Sequence, residues 1–389
     1  MKDGLTAKEA AAVAFVNAHK EDMLALWEKL VSTESPSADK AGVNRVGDIL
    51  ASRLEAFGAE VKRVEVKDRG DILFAEYNKT APGAPVLFCG HMDTVFPAGT
   101  IKERPFRTEG GRAFGPGVLD MKGGLTAAVF ALGALASCGF ADRPVRIVFM
   151  GDEEEGHRNS DAKEKFKKLI QGAGAALNFE TASPAGGIVV GRKGSCRLRL
   201  EVTGVSAHAG NAPEAGRSAI LEAAHKVIAI QALNDLEHGT SVNVGIISGG
   251  TVVNAIPGSC RMDIDIRYTE KERLSKTLEE IRRIAAQSTV PDTSCVLTEG
   301  APSVTMETSS GITGLFEKVR EASEALGLSE PFTMKSGGWS DANLIATEGI
   351  PVVCGMGVKG ENNHTPREYA IVDSLFERAA LAAVTVMRL

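Results

Sequence analysis

The chain has 389 residues, 43% of them apolar and 24% charged, with a formal net charge of −6. That length accommodates about two or three domains of roughly 150 residues, and the composition is that of an ordinary soluble globular protein. The slight acidic excess, without a long Lys/Arg run, argues against nucleic acid or an anionic membrane as the main partner. Six cysteines (Cys89, Cys138, Cys196, Cys260, Cys295, Cys354) are scattered without a Cys-x-x-Cys pair, which favours reduced structural thiols. The first residues hold no uninterrupted apolar segment of signal-peptide type. No run approaches the ~20 apolar residues of a membrane span, so a cytoplasmic location is expected.

In chain order, Ala7 to Leu30 has helical period, with Ala11, Phe15, His19, Met23, Leu26 and Leu30 recurring at three and four. Val43 to Phe57 is a second helix closed by Gly58. Val61 to Val66 and Ile72 to Tyr77 alternate as strands, and Val86 to Gly90 is an apolar strand running into Gly-His-x-Asp at Gly90–Asp93. Arg104 to Phe114 reads as a hairpin. The Gly-rich stretch Gly115–Gly124 opens an apolar helix, Leu125 to Leu135, but lacks the spacing of a phosphate loop. The strand Val145 to Met150 runs into Gly151-Asp152-Glu153-Glu154-Glu155-Gly156. By itself such a run is either a solvated charge cluster or a set of carboxylates held by metal. A helix over Asp161 to Leu169, with Ser160 or Asp161 as its N-cap, and a strand from Ala175 ending at Glu180 follow.

Beyond residues 181–187 the texture changes. Arg197 to Thr203 and Arg261 to Arg267 alternate strictly, as half-exposed antiparallel strands do. Helices (Ser218 to Leu233, Leu274 to Ala286) and further strands (Ser241 to Ile247, Ser294 to Leu297) lie among them. The helix Gly311 to Leu326 and the strand Pro351 to Cys354 resume the first texture. The expected fold class is therefore α/β, one domain of residues 1–187 and 301–389, interrupted by an inserted α+β sandwich of residues 188–300.

Ligands in open α/β sheets sit beyond the carboxyl ends of the strands. His91, Asp120, Glu153, Glu154, Glu180 and His364 all fall at or just past strand ends in the α/β part. Two imidazoles and three carboxylates suit a pair of zinc ions, with a carboxylate as the bridge. Asp93 is placed to orient the His91 ring.

The motifs Gly90-His91-Met92-Asp93-Thr94-Val95, Gly115-Pro116-Gly117-x-x-Asp120-x-Lys122-Gly123-Gly124, Asp152-Glu153-Glu154-x-Gly156 and Asn178-Phe179-Glu180 resemble those of a di-zinc peptidase and deacylase family. It includes glutamate carboxypeptidases of the carboxypeptidase G type, acetylornithine deacetylase and succinyl-diaminopimelate desuccinylase. The resemblance implies a mixed-sheet zinc-hydrolase domain with a lid and dimerisation insert. It implies two Zn2+ per subunit, with Co2+ or Mn2+ as substitutes. His91, Asp120 and Glu180 would hold one ion; Asp120, Glu154 and His364 would hold the other. Glu153 would be the general base, and a cis peptide would fall at Asp120–Met121. The resemblance also gives His208, in Gly204–Gly210, an oxyanion role in the other subunit of a homodimer. Asn254, Arg267 and Gly338 would bind a substrate carboxylate. Without it, His208 reads as a surface histidine and Arg267 as part of a structural ion pair; Asp341 either belongs to the carboxylate loop or caps the next helix. His157 matches no ligand role. The implied substrate is a small peptide or N-acyl amino acid, with a C-terminal glutamate cleaved. The alternatives are an N-acyl-amino-acid deacylase and, from another class, a non-catalytic peptide-binding dimer.

Overall fold

The structure, a computed structural model, describes residues 4–158 and 160–389. The described residues form two compact units, one of residues 4–190, 308–335 and 340–389, the other of residues 191–307 and 336–339. The sequence put the return linker at Glu299–Pro302. The chain instead stays with the second unit to Glu307, because Ser303 N donates to Ser195 O at 2.8 Å and Met306 N to Arg192 O at 3.0 Å. Residues 336–339 come back to it through Lys193 N to Ser336 O (3.0 Å) and Arg192 Nη1 to Gly338 O (3.1 Å).

The first unit is built on an eight-stranded mixed sheet. Its centre is four parallel strands in the order Val145–Met150, Val86–His91, Ala175–Asn178 and Val352–Cys354. Every residue of Val86–His91 is buried, as expected of a strand covered on both faces. Glu60–Val64 and Ile72–Tyr77 continue the sheet antiparallel on one side; Ile188–Arg192 and Thr333–Ser336 extend it on the other.

The helix Gly123–Ser137 is buried from Gly123 through Leu135. By length and composition Val118–Ser137 is apolar enough to cross a membrane, contrary to the sequence reading, but the whole window is buried inside the protein, as in the core helix of a large domain. It packs so closely that a Cβ on Gly124 would meet Phe179 O at 2.0 Å. Against it pack the N-terminal helices and Val372–Met387. That last helix had no place in the sequence reading; its second half, Ala379 to Val386, is buried and apolar but for Thr385, so the polar face that marks an amphipathic helix is missing there. The single helix expected over Ala7 to Leu30 is two, Ala7–Ala18 and Lys20–Val31, divided at His19. His19 leaves the helical region at φ −110°, ψ 21°, and its Nδ1 lies 2.8 Å from Phe15 O.

The second unit is a four-stranded antiparallel sheet in the order Ser241–Gly249, Ser259–Tyr268, Gly194–Thr203 and Ser294–Glu299. The alternation seen in the sequence sorts its two faces. Leu198, Leu200, Met262, Ile264 and Ile266 point into a core with the helices Ala219–Gln231 and Lys271–Ala286. Arg197, Arg199 and Glu201 occupy the alternate, exposed positions of Gly194–Thr203.

Candidate active site

The parallel register places three acidic or imidazole segments side by side at the carboxyl edge of the first unit's sheet. His91 ends its strand opposite Met150, whose strand leads into the turn Glu153–Glu155. Cys89 lies opposite Asn178, two residues before Glu180. Asp120 comes from the irregular turn Val118–Lys122 and precedes a cis peptide bond to Met121. His364 comes from the loop after Gly360–Glu361, in the left-handed region at φ 62°. For a residue with a Cβ that conformation is strained, and it persists where the surroundings dictate it.

Two trios result. In each of them, His91–Asp120–Glu180 and Asp120–Glu154–His364, one ligand-type atom per residue lies within 4.8 Å of the others. His91 Nε2 is 3.2 Å from Asp120 Oδ1 and 3.7 Å from Glu180 Oε1. His364 Nε2 is 3.1 Å from Asp120 Oδ2 and 3.2 Å from Glu154 Oε2. Asp120 thus gives one oxygen to each trio. Glu153 stands at their edge, its Oε2 3.9 Å from His91 Nε2. Asp93 does more than orient a ring. Its backbone carbonyl lies 3.0 Å from His91 Nδ1, while its buried carboxylate accepts the amides of Glu153 and Glu154, both at 3.1 Å, and the Ser37 hydroxyl at 2.6 Å. Asp93 therefore fixes the acidic turn to the end of the His91 strand.

The electrostatics call for added positive charge. Burial, reinforced by Glu180, Asp341 and Glu154, pushes Glu153 well above the usual carboxyl range against the pull of His91. Burial opposes charge on His91, yet Asp120 and Asp93 raise it well above an ordinary imidazole. Hydrogen bonds to Asp120 and Glu154 take His364 up to about 10. Glu154 Oε1 is buried with no hydrogen-bond partner. Such an orphan in a native interior marks a place where an ion or water belongs. Carboxylate and imidazole donors in two overlapping trios fit a pair of divalent cations such as zinc.

In the second unit, His208 and Asn254 share one two-stranded ribbon, with His208 paired to Ala255 and Ala209 N donating to Asn254 O at 2.9 Å. His208 is exposed, and its Nδ1 accepts the amides of Gly210 and Asn211, each at 3.1 Å. Two N–H groups aimed at Nδ1 require its lone pair, so a neutral ring carries its proton on Nε2. Arg267 lies on another strand. Its Nε donates to Asp265 at 2.8 Å, the bland pairing considered above, and neither Nη hydrogen-bonds among the described residues. The Gly338 amide donates to Ser336 Oγ at 3.2 Å.

Other findings were not foreseen. Ser340, not Asp341, caps the helix Asp341–Thr347. Buried His157 spans Asp152 (2.7 Å) and Asp341 (2.6 Å). Asn363 Nδ2 donates to Asp120 Oδ2 at 2.9 Å. The signals were thin: Asn363 adjoins His364, but His157 has only an acidic neighbourhood in the sequence.

Residues 87–388 match the profile of Peptidase family M20/M25/M40. Carboxypeptidase G2 of Pseudomonas sp. strain RS-16 is 31% identical over 374 residues, 93% of this chain and 88% of that protein. The chain belongs to this family. Acetylornithine deacetylase of Myxococcus xanthus is also 31% identical, over 61% of this chain and 65% of its own length. Among solved structures, the aminopeptidase PepT of Bacillus cereus superposes with a TM-score of 0.83 at 24% identity, over 95% of this chain and 98% of its own; that likeness is one of fold. M20 proteins are metal-dependent peptidases and amidohydrolases, and this chain is accordingly an enzyme of that kind with a candidate metal site.

Proposed function

We propose that this M20 enzyme is a di-zinc carboxypeptidase releasing a C-terminal amino acid, glutamate first among candidates, from a small peptide or N-acyl amino acid. The observation that carries the chemistry is the pair of trios sharing Asp120, with Glu153 beside them. His91, Asp120 and Glu180 would hold one zinc, and Asp120, Glu154 and His364 the other. When bound, the ions lower the pKa of a water towards about 7 and polarise the scissile carbonyl. Glu153 takes a proton from the attacking water and returns it to the leaving amine nitrogen. Asp93 keeps Glu153 in place through the turn's amides. His208, with its proton on Nε2, is a donor for the oxyanion that forms on the substrate carbonyl. Arg267, whose two Nη groups remain for a second carboxylate, and Asn254 bind the substrate's terminal carboxylate, with Gly338 in the neighbouring carboxylate loop.

We propose further that the enzyme is a homodimer through the inserted unit, which brings His208 to the partner's site. Ser241–Gly249 is an edge strand of its sheet, and it exposes Ile246 and Ile247; Ile220, Leu221 and Ile228 are exposed on the helix that packs against it. An unpaired edge next to apolar side chains is a surface for strand pairing between copies.

Similarity to carboxypeptidase G2 supports glutamate release; similarity to acetylornithine deacetylase supports N-deacylation, which uses the same chemistry on a different substrate. A hydrolysis panel with zinc present separates them. Aryl- and N-acyl-glutamates should be cleaved faster than acetylornithine and succinyl-diaminopimelate. Absence of glutamate release from all of them would overturn the carboxypeptidase reading.

A further inference from the structure

We infer that Glu368 is a positioning residue that sets Asp120 against His364, and so governs how tightly the centre holds metal. The inference rests on the metal reading above. Glu368 is almost wholly buried, at 1% exposure. Its carboxylate accepts three backbone amides of one turn: Gly117 N at 3.0 Å on Oε2, and Leu119 N at 2.8 Å and Asp120 N at 3.0 Å on Oε1. These amides belong to the N-terminal end of the turn Val118–Lys122, with Gly117 just before it, where even a regular helix leaves its first N–H groups without carbonyl partners. A buried amide without an acceptor is costly, and Glu368 supplies all three. The turn also packs closely on Thr94, whose Cγ2 a Cβ on Gly117 would meet at 2.6 Å.

The second half of the observation is where Glu368 comes from. It lies four residues after His364 in the same loop. Asn363 Nδ2 and His364 Nε2 of that loop reach Asp120 Oδ2 at 2.9 and 3.1 Å. One short segment therefore grips Asp120 twice, at its backbone through Glu368 and at its side chain through Asn363 and His364. His364 is half exposed and sits in a left-handed conformation, so its own burial does little to fix it. The carboxylate clamp ties the exposed ligand to the buried one. Groups that orient metal ligands in this way typically change metal affinity 10- to 100-fold when removed.

The test compares the full-length wild type with Glu368→Gln and Glu368→Ala, each stripped of metal. Gln retains the Oε1 acceptor for Leu119 and Asp120 but turns an NH2 towards the Gly117 amide; Ala removes all three bonds. Zinc is titrated in against a chromophoric chelator, and the melting temperature of each metal-free protein is recorded. The wild type should take up two zinc ions. Glu368→Gln should bind at least one of them about 10-fold more weakly and Glu368→Ala about 100-fold, with metal-free Glu368→Gln melting below the wild type, for the lost Gly117 bond, but still in one cooperative transition. Excess zinc should restore most of the lost kcat in Glu368→Gln, which a general loss of folding would not allow. Unchanged zinc affinity in Glu368→Gln would overturn the clamp alone, and that variant decides the matter if Glu368→Ala fails to fold. A wild type that takes up fewer than two zinc ions would overturn the metal reading, and the clamp with it.

Discussion

The two units of this chain place polar groups in opposite ways. In the α/β unit, His91, Asp93, Glu153 and Glu180, at the ends of parallel strands, and Asp120, in the turn Val118–Lys122, are buried and linked to one another. In the inserted unit, His208 and Asn254 stand exposed on a ribbon of two-residue strands, and Arg267 is half exposed on its strand. Burial crowds the carboxylates of the first set, and such a cluster must either take up protons or be offset by cations. The second set faces solvent.

The largest expected effect belongs to the buried set. Glu153→Ala should lower kcat by about 10³-fold or more, within the span of a general acid–base group, while two zinc ions remain bound by metal analysis. Loss of zinc together with activity would show Glu153 to be a ligand instead. Next comes the exposed set. His208→Ala should reduce kcat by about 10²- to 10³-fold, the effect of removing an oxyanion donor, with little change in KM. Mixing His208→Ala with Glu153→Ala subunits should restore activity to a fraction of the sites if His208 acts across the dimer. A mixture as inactive as its parents would place His208 in its own subunit's site.

The contrast also explains what the sequence made legible. The strand ends carrying His91 and Glu180 were readable because buried parallel strands are continuous apolar runs, and a polar residue at their end stands out. The alternating strands of the insert were equally plain, since one face meets helices and the other water. Elements without such contrast escaped. The helix Val372–Met387 is buried around much of its circumference, Ile188–Arg192 was counted with the insert although it joins the large sheet, and the break at His19 leaves helical period intact on both sides. Within the site, resemblance between motifs pointed to the candidate ligands that the fold brings together, but it was silent on Glu368 and His157. Their partners lie 248 and 184 positions away in sequence for Asp120 N and Asp341, and no local pattern encodes such a contact.

The exposed apolar surface of the insert gives the next test. Ile228 is 71% exposed and Ile246 56%. Burying two such side chains between subunits would contribute roughly 3 kcal/mol. Ile228→Glu with Ile246→Glu should therefore weaken dimerisation by about 100-fold or more, read by sedimentation at graded concentrations. If activity depends on His208 from the partner, it should fall in step with the dimer fraction. A wild type that sediments as a monomer would overturn the interface.

The smallest effect lies far from both sets and concerns the α/β unit's own stability. Arg388, next to the last residue of the chain, donates from Nε to Glu9 Oε1 at 2.6 Å and from Nη2 to Glu9 Oε2 at 3.1 Å. Glu9 also closes the first helix through a capping box with Thr6. Burial alone would raise the Glu9 carboxyl, but Arg388 and the Thr6 amide hold it below its ordinary value. A carboxylate depressed in the folded state adds stability above its unfolded pKa of about 4.3, and that stability is lost as pH falls through the lower folded value. Arg388→Ala should therefore cost about 1–3 kcal/mol at neutral pH, as for a hydrogen bond between charged groups, seen as a lower Tm. The gap from the wild type should narrow steadily below pH 4. A gap that stayed constant down to pH 2 would mean that Arg388 stabilises through its packing against the end of the chain rather than through its charge.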